Sequence, residues 1–239
     1  MSADYHSGPA PLGPPGTTFS PIFPPRVVDS GVAEAGRLLF AAEARFIAGA
    51  SGPSALPPEG LPEIAFVGRS NVGKSSLVNA LTGRRTLARI SNTPGRTRQI
   101  NFFNLGGRLM LVDLPGYGYA EASKSAVKSW TSLVRYYLQT RAALRRVCLL
   151  IDSRHGVKEI DRPLMRMLDD AGVSYQIVLT KADKAGKREL ASVPDIMAEL
   201  APHVAAHPEI HLTSALDRRG IAELRETLAN FAFPIEQSR

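Results

Sequence analysis

The chain has 239 residues, of which 44% are hydrophobic and 21% are charged, and a formal net charge of +7. This composition is typical of a globular protein and excludes a fully disordered or fibrous chain. A single cysteine excludes an internal disulfide and a cysteine-rich zinc site, and no apolar run reaches the roughly 20 residues of a membrane span. We therefore predict a cytoplasmic protein without membrane contact, and the positive charge favours polyanionic partners.

The N-terminal region is rich in proline and glycine, since seven of the 18 prolines fall within the first 25 residues. We predict a disordered tail over residues 1–30. Apolar residues at helical spacing from Val32 to Ile47 predict an amphipathic helix that docks on the main domain. Together with a second proline cluster, this helix forms a docking helix and linker at residues 31–62. We place the main domain at residues 63–233 and a short tail at residues 234–239.

From Glu63 onward, short apolar runs alternate with stretches of helical period. This alternation predicts a three-layer α/β domain with a mostly parallel sheet, and Gly106-Gly107 indicates a hairpin that makes one edge strand antiparallel. The predicted strands are Ile64–Val67, Gln99–Leu105, Arg108–Leu114, Arg146–Ile151, Tyr175–Leu179 and Glu209–Leu212. The predicted helices are Lys74–Leu81, Lys124–Thr140, Glu159–Ala171, a poorly bounded stretch between Lys187 and Leu200, and Ile221–Phe231.

A glycine-rich loop follows the first strand of this domain and precedes its first helix. Its sequence, Gly68-Arg69-Ser70-Asn71-Val72-Gly73-Lys74-Ser75, matches the pattern G-x-x-x-x-G-K-[ST]. Backbone N–H groups of such a loop, with the helix N-terminus behind them, hold phosphate oxygens. We predict that Lys74 reaches the β- and γ-phosphates and that the Ser75 hydroxyl binds Mg²⁺.

Two later segments predict that the base is guanine. In Thr180-Lys181-Ala182-Asp183, directly after a strand, the Asp183 carboxylate can accept hydrogen bonds from guanine N1–H and the 2-amino group, and Lys181 can lay its stem over the base. Adenine would leave that carboxylate unpaired. Thr213-Ser214-Ala215 closes the last strand, where a backbone N–H could donate to guanine O6. Ligands of open α/β sheets bind at this carboxyl edge.

Between these motifs, Asp113-Leu114-Pro115-Gly116 ends another predicted strand. Asp113 is placed to hold Mg²⁺, through water, and the Gly116 N–H can meet the γ-phosphate and swing when that phosphate leaves.

These motifs together resemble a translation-factor-class (TRAFAC) P-loop GTPase with a Ras-like G domain. Four segments closely resemble the EngB family of bacterial GTPases, also called YihA or YsxC: EIAFVGRSNVGKSS, TPGRTRQINF, DLPGYGY and TKAD. The resemblance covers roughly Phe40 to Phe233. It implies binding of GTP and GDP with Mg²⁺, a role in assembly of the large ribosomal subunit, and a requirement for normal cell division and septation. It also implies contact with the large subunit or its assembly intermediates through ribosomal RNA; we expect a monomer that does not bind DNA.

The resemblance also assigns a switch I segment. It makes Thr97 the residue whose hydroxyl joins Ser75 and Asp113 on Mg²⁺, although Thr93 would serve equally well by the residues alone. It places five residues beside the nucleotide: Gly95, Arg96, Thr97, Arg98 and Gln99. Thr180 stands where many GTPases have Asn, and it keeps a hydroxyl that can tether the phosphate loop.

One departure from the Ras-type pattern concerns catalysis. Tyr117 follows Gly116 where Ras-type enzymes have a glutamine that orients the attacking water, so we expect slow intrinsic hydrolysis. Asn71 occupies the loop position that holds K⁺ in related GTPases, which yields the hypothesis of K⁺-stimulated turnover. The residues predicted to act in catalysis are thus Lys74, Asn71, Thr97 and Gly116.

Basic residues accompany the predicted switch segments. Five arginines and no acid lie between Arg84 and Arg98, and further positive charge sits at Lys124, Lys128, Arg135, Arg141, Arg145 and Arg146. One interpretation is a ribosomal RNA contact, and the other is a solvated loop that offsets the charge of the triphosphate.

Other reactive or aromatic residues have simpler interpretations. We expect Cys148 in the core and His155 in a loop, and Pro208 prevents a helix that would align His203, His207 and His211 on a metal. Tyr117, Tyr119 and Trp130 are expected to pack within the switch II region.

Two functions from different classes remain open at this point. The first is a slow GTPase that switches conformation during large-subunit assembly. The alternative is a regulatory binding module that senses GTP and GDP and recruits division partners, with incidental hydrolysis. Stimulation of turnover by ribosomal particles would separate them.

Overall fold

The computed structural model describes residues 30–84, 99–118 and 124–233. The predicted tails, at residues 1–30 and 234–239, lie outside these ranges except for Ser30, which begins the first helix. The helices are α1 (Ser30–Ala41), α2 (Lys74–Thr82), α3 (Lys124–Thr140), α4 (Arg162–Asp170), α5 (Lys187–Ala191), α6 (Val193–Leu200) and α7 (Ile221–Ala229). The strands are β1 (Ala44–Ala50), β2 (Glu63–Gly68), β3 (Ile100–Leu105), β4 (Leu109–Asp113), β5 (Leu144–Asp152), β6 (Tyr175–Thr180) and β7 (His211–Leu212).

The strands form one sheet in the order β1-β3-β4-β2-β5-β6-β7. Strand β3 runs antiparallel to both of its neighbours, and all pairs from β4 to β7 are parallel. The predicted α/β architecture with a mostly parallel sheet is therefore confirmed. The hairpin between β3 and β4 turns at Gly106 and Gly107, whose φ angles of 59° and 69° are easy only for glycine. Strand β3 lies one place inside the edge, because β1 occupies the edge itself.

Alternate residues of the central strands bury opposite faces of the sheet. On β2, Ala65 and Val67 join a core with α3, α4 and α6, whereas Ile64 and Phe66 join a core with α1, α2 and α7. Both faces are therefore covered, which explains the near-continuous apolar runs in the sequence. Among the described helices, none combines the length and hydropathy that a membrane span requires.

One predicted element is wrong in its second half. The helix predicted from Val32 to Ile47 ends at Ala41, and the following residues form β1, which pairs with β3. The helical spacing of Phe46 and Ile47 was misleading, since Phe46 instead packs edge-to-face on Phe103 of β3, 5.6 Å between ring centroids. Pairing satisfies backbone groups that β3 would otherwise expose, and this outweighs a marginal local helix signal.

The sheet therefore includes a segment that was predicted as the end of the docking helix and the start of the linker. Helix α1 packs against α7, with Leu39 and Phe40 buried in the core. The region boundaries at residues 30, 62 and 233 stay predictions. The poorly bounded stretch before Leu200 resolves into two short helices, α5 and α6, and Pro194 lies in the first turn of the second.

Candidate nucleotide site

The glycine-rich loop runs from the end of β2 to the start of α2, as predicted. Its turn depends on Asn71 and Gly73, whose φ angles are 61° and 105°. A Cβ at Gly68 would lie 2.9 Å from the carbonyl oxygen of Leu150, so only glycine fits where the loop leaves the sheet. No described residue accepts a backbone hydrogen bond from the N–H groups of Asn71, Gly73 or Lys74. The loop thus presents a concave set of donors at a helix N-terminus.

Lys74 and Asp113 meet beside this loop. The Lys74 ammonium donates a hydrogen bond to the Asp113 carboxylate, and both side chains are largely buried, at 14% and 7% exposure. Strand β4 lies next to β2 with Phe66 opposite Asp113, which brings Asp113 to the carboxyl edge where the loop begins. Ser75, in the first turn of α2, is the neighbouring hydroxyl. The Lys74 ammonium, the Asp113 carboxylate and the Ser75 hydroxyl therefore lie together where the loop passes into α2.

The segment after β6 is bound directly to the phosphate loop. The Thr180 hydroxyl donates to the carbonyl oxygen of Val72 at 2.6 Å, the tether that the sequence predicts for this threonine. The Lys181 ammonium donates to the carbonyl oxygen of Asn71 at 2.7 Å. Lys181 makes this contact from a left-handed backbone conformation, with a φ of 59°, which is uncommon for a residue other than glycine.

Asp152, at the end of β5, is a site residue that the sequence analysis missed. Its carboxylate lies 2.9 Å from the Lys181 ammonium and accepts two hydrogen bonds from the Arg154 guanidinium. Burial raises the pKa of Asp152, but the hydrogen bonds from Arg154 and Lys181 outweigh burial and leave the pKa below its usual value. The sequence did contain a signal for Asp152. It is a lone acid at the end of an apolar strand, on the same sheet edge as the other motifs.

A cavity of about 320 Å³ lies between these segments, lined by Gly73, Ser76, Leu77, Thr180, Lys181, Asp183, Lys184, Thr213, Ala215 and Leu216. The Ser214 hydroxyl donates to the Asp183 carboxylate at 2.7 Å and so fixes its orientation. Backbone N–H groups of Thr213 and Ser214 donate within the protein, to Leu179 and Arg219. Within the described part of the chain, the Ala215 N–H is the one in this tripeptide that no backbone acceptor occupies. Ala182 belongs to the segment Thr180-Lys181-Ala182-Asp183. It is buried, and its N–H donates to the carbonyl oxygen of Thr213.

The segment Leu114, Pro115 and Gly116 leads from Asp113 back over the phosphate loop. The Ser70 N–H donates to the carbonyl oxygen of Tyr117 at 2.9 Å, and the Tyr117 N–H donates to that of Gly68 at 3.3 Å. Packing of this region is as expected, because the rings of Tyr117 and Trp130 are 6.1 Å apart and both side chains are buried.

Part of the predicted site falls outside the described residues: Gly95, Arg96, Thr97 and Arg98, as well as Thr93 and Tyr119. Gln99 is described, and its side chain occupies the space that a Cβ on Gly49 of β1 would need. The edge strand that the sequence missed thus touches the end of the predicted switch I segment.

The structure corrects two of the predicted basic contacts. Arg141 is buried and forms an ion pair with Glu63 at 2.6 Å, and Arg146 stacks over the ring of Phe231 at 5.2 Å. Neither guanidinium is part of an open basic surface, whereas Lys128, Arg135 and Arg145 are exposed.

Cys148 lies in the core and His155 lies in a turn, as the sequence predicts. Cys148 is fully buried, and burial raises its thiol pKa to about 12. His155 lies in a turn and His203 pairs with Asp169. Across residues 30–84, 99–118 and 124–233, no three His, Cys, Asp or Glu side chains are grouped as metal ligands.

Comparisons with known proteins agree with this geometry. Residues 63–181 match the family described as 50S ribosome-binding GTPase. A probable GTP-binding protein EngB of Rhodospirillum rubrum is 61% identical over 207 residues, covering 84% of this chain and 90% of that protein. The corresponding protein of Gluconobacter oxydans is 51% identical over 206 residues, covering 86% and 91%.

Solved structures support the fold. A crystal structure of a probable GTP-binding protein EngB aligns with a TM-score of 0.57 and 22% identity, over 71% of this chain and 98% of that one. Era, solved with MgGDPNP and nucleotides 1506–1542 of 16S ribosomal RNA, aligns with a TM-score of 0.55 and 24% identity, over 73% and 57%. The family itself rests on the sequence relatives, whose identity and coverage leave one assignment: this chain belongs to the EngB family of GTP-binding proteins and is a P-loop GTPase.

Proposed function

We propose that this GTPase is a slow molecular switch in the assembly of the large ribosomal subunit, needed for normal cell division and septation. One observation carries the proposal: the phosphate loop and the base-recognition segment are bound to each other through Thr180 and Lys181 at one end of the sheet. Such a connected site can couple the presence of a whole nucleotide to the segments around it. We further propose that the protein acts in the cytoplasm as a monomer.

The phosphate and base contacts follow from the donors and acceptors at this edge. Loop N–H groups and Lys74 hold the phosphates, and a phosphate on Lys74 competes with its present contact to Asp113. Asp183, oriented by Ser214, accepts from guanine N1–H and the 2-amino group, and the Ala215 N–H donates to O6. An adenine ring would leave the Asp183 carboxylate with the Ser214 hydroxyl but without the two guanine donors, a mismatch of about 1–3 kcal/mol.

Mg²⁺ fits the oxygen ligands that the site offers. Asp113 offers a buried carboxylate, and Ser75 offers a hydroxyl at the start of α2. Both are hard oxygen ligands, which this ion prefers. We assign Ser75, Thr97 and Asp113 to Mg²⁺, with Asp113 acting through water. When bound, the ion neutralises charge on the β- and γ-phosphates.

Hydrolysis depends on Lys74, Thr97, Gly116 and Asn71 in this proposal. Tyr117 has no amide that could orient water, which explains a slow intrinsic rate. The Asn71 side chain is exposed at the loop, and it can bring its amide oxygen to a K⁺ ion beside the phosphates. Turnover should then be faster in K⁺ than in Na⁺, and Asn71→Ala should remove the difference. Equal rates in both salts would contradict this part of the proposal.

Ribosome association is supported by the description of the matched family and by surface charge. Lys128 and Arg135 are exposed on α3, a helix without any acidic residue, and Arg145 lies beyond it. Binding through phosphate contacts falls steeply with salt. We expect large-subunit particles to bind more strongly with a non-hydrolysable GTP analogue than with GDP, and less as salt rises. Binding that does not respond to salt would rule out these contacts.

The decisive experiment is calorimetric titration of the full chain with GTP, GDP, ATP and XTP, with and without large-subunit particles. Wild type should prefer guanine nucleotides, and Asp183→Asn should shift the preference towards xanthine nucleotides by at least about 100-fold. Particle-stimulated turnover would favour the assembly switch over a module that only senses the nucleotide. Acceptance of ATP by wild type would overturn the proposal.

A further inference from the structure

A fully buried carboxylate lies behind the segment that follows β4. Asp161, just before α4, has 0% exposure. It accepts a hydrogen bond from the Tyr117 hydroxyl at 2.7 Å and one from the Lys158 N–H at 2.8 Å. Arg69 of the phosphate loop forms an ion pair with it, with 3.3 Å between Nε and the carboxylate. One acid thus contacts both the phosphate loop and the predicted switch II segment.

Burial makes these contacts obligatory. A carboxylate without water must be paired, and loss of a partner leaves a charge that nothing compensates. Burial and the neighbouring Asp161 carboxylate raise the pKa of Tyr117 above its usual value, so the hydroxyl keeps its proton and remains a donor. Asp161 therefore fixes the side chain of Tyr117 for as long as this region stays packed.

The backbone around Gly116 is held from both sides. On one side, the Trp130 indole donates to the carbonyl oxygen of Pro115 at 3.2 Å. On the other side, Tyr117 exchanges backbone hydrogen bonds with Gly68 and Ser70. The position of the Gly116 N–H is thus set by its chain neighbours Pro115 and Tyr117. Asp161 holds the second of these through the Tyr117 hydroxyl.

We propose that Asp161 is a positioning residue for GTP hydrolysis: through Tyr117 and Arg69 it holds Gly116 in register with the phosphate loop. The proposal rests on the GTP switch described above and assigns a role to a residue outside every nucleotide motif. Asp161 touches neither substrate nor metal in this account. It acts by removing the freedom of the segment that meets the γ-phosphate.

The test uses the full chain and two conservative variants. Tyr117→Phe removes one hydroxyl, and Asp161→Asn keeps an acceptor oxygen while removing the charge that faces Arg69. The control is Tyr137→Phe, because Tyr137 also donates to a buried carboxylate, Glu63, at 2.9 Å but lies far from the nucleotide edge. The measurements are single-turnover GTP hydrolysis, GDP affinity, and fluorescence of Trp130, the only tryptophan in the chain.

We expect Tyr117→Phe to slow hydrolysis about tenfold while GDP affinity changes by less than about twofold. Asp161→Asn should slow it to a similar degree, and the double variant should be no slower than either. Tyr137→Phe should hydrolyse GTP like wild type. Trp130 fluorescence should differ between GDP and a GTP analogue in wild type, and this difference should shrink in Tyr117→Phe.

Other results would overturn the inference. Normal hydrolysis by Tyr117→Phe, effects of the two substitutions that multiply, or equal slowing by Tyr137→Phe would each refute a positioning role. Failure of the wild type to bind GTP, or to change Trp130 fluorescence between nucleotides, would instead refute the proposed switch. Because Tyr117→Phe is a mild change, the test does not depend on Asp161→Asn folding normally.

Discussion

A tyrosine, an acidic residue and an arginine meet at each end of the central strand β2. At the nucleotide end, Tyr117, Asp161 and Arg69 form what we call the switch cluster. At the opposite end, Tyr137, Glu63 and Arg141 form what we call the basal cluster. Glu63 begins β2 and Arg69 follows its end, so one strand separates the two. Each cluster joins a buried carboxylate and a buried tyrosine to an arginine.

The two clusters differ in how completely the arginine is satisfied. Arg141 donates three hydrogen bonds to Glu63, at 2.6–3.0 Å, and a fourth to the carbonyl oxygen of Pro57. Arg69 Nε lies 3.3 Å from Asp161 without the geometry of a hydrogen bond to any described acceptor. The basal cluster therefore joins β2, α3 and the preceding loop through a fully bonded arginine, whereas the arginine of the switch cluster is bonded less completely.

The largest expected effect breaks the basal cluster. Arg141→Ala leaves the buried Glu63 carboxylate without its cation, although the Tyr137 hydroxyl still donates to it, so the free energy of unfolding should fall by about 3–5 kcal/mol. Urea unfolding monitored by circular dichroism measures this change. GDP affinity of the protein that remains folded should stay at the wild-type value, because Arg141 lies at the far end of the sheet.

A double substitution provides the control for that result. Glu63→Gln combined with Arg141→Met removes both charges, and it should recover much of the lost stability. A loss below about 1 kcal/mol for Arg141→Ala would show that water or a shifted side chain compensates Glu63. The basal cluster would then be no tighter than the switch cluster, and the contrast between them would disappear.

A smaller effect on stability is expected at the switch cluster. Arg69→Ala removes an ion pair of poor geometry and a long hydrogen bond to the Gly156 carbonyl oxygen, while Asp161 keeps its bonds to Tyr117 and Lys158, so we expect a loss of about 2 kcal/mol. Hydrolysis should slow in the same variant, unlike in Arg141→Ala, because Arg69 belongs to the phosphate loop. Urea unfolding and single-turnover hydrolysis together distinguish the clusters. A normal hydrolysis rate would mean that Arg69 only stabilises the fold.

Sequence patterns predicted which segments meet at the carboxyl edge of the sheet, because each of these patterns is local. The loop from Gly68 to Ser75 lies between β2 and α2 as expected, and Asp183 and Ala215 line one cavity. In each case a short segment contains both the turn-forming residues and the polar groups, and strand order alone brings the segments together.

What the sequence did not show depends on contacts between distant residues. Asp161 and Tyr117 are 44 positions apart, and Glu63 and Arg141 are 78 positions apart. Nothing near Asp161 marks it as buried, and Arg141 looks like one more surface charge on a basic chain. The strand β1 was hidden for the same reason, since its residues pair with residues of β3 that lie 50 to 61 positions away and local spacing favoured a helix.

Another buried carboxylate extends the comparison to acid pH. Asp152 holds Lys181 and Arg154, and its pKa is below the usual value of about 3.9. A group with a lowered pKa stabilises the folded protein fully above its unfolded pKa, and this contribution disappears as pH falls through the folded pKa. Asp152→Asn should therefore cost about 1 kcal/mol near neutral pH, and the difference from wild type should shrink below about pH 4.

An exposed pair of the same design is the matched control. Asp217 and Arg219 have the same spacing as Asp152 and Arg154, and each acid also accepts from the backbone N–H of its arginine. Asp217→Asn should change stability less, because its ion pair with Arg219 lies in water, with the two side chains 39% and 51% exposed. Urea unfolding of both variants and wild type at neutral and acid pH measures these differences. If the Asp152→Asn difference is constant with pH, the lowered pKa does not contribute to stability, and burial alone, without charge pairing, would then account for the role of Asp152.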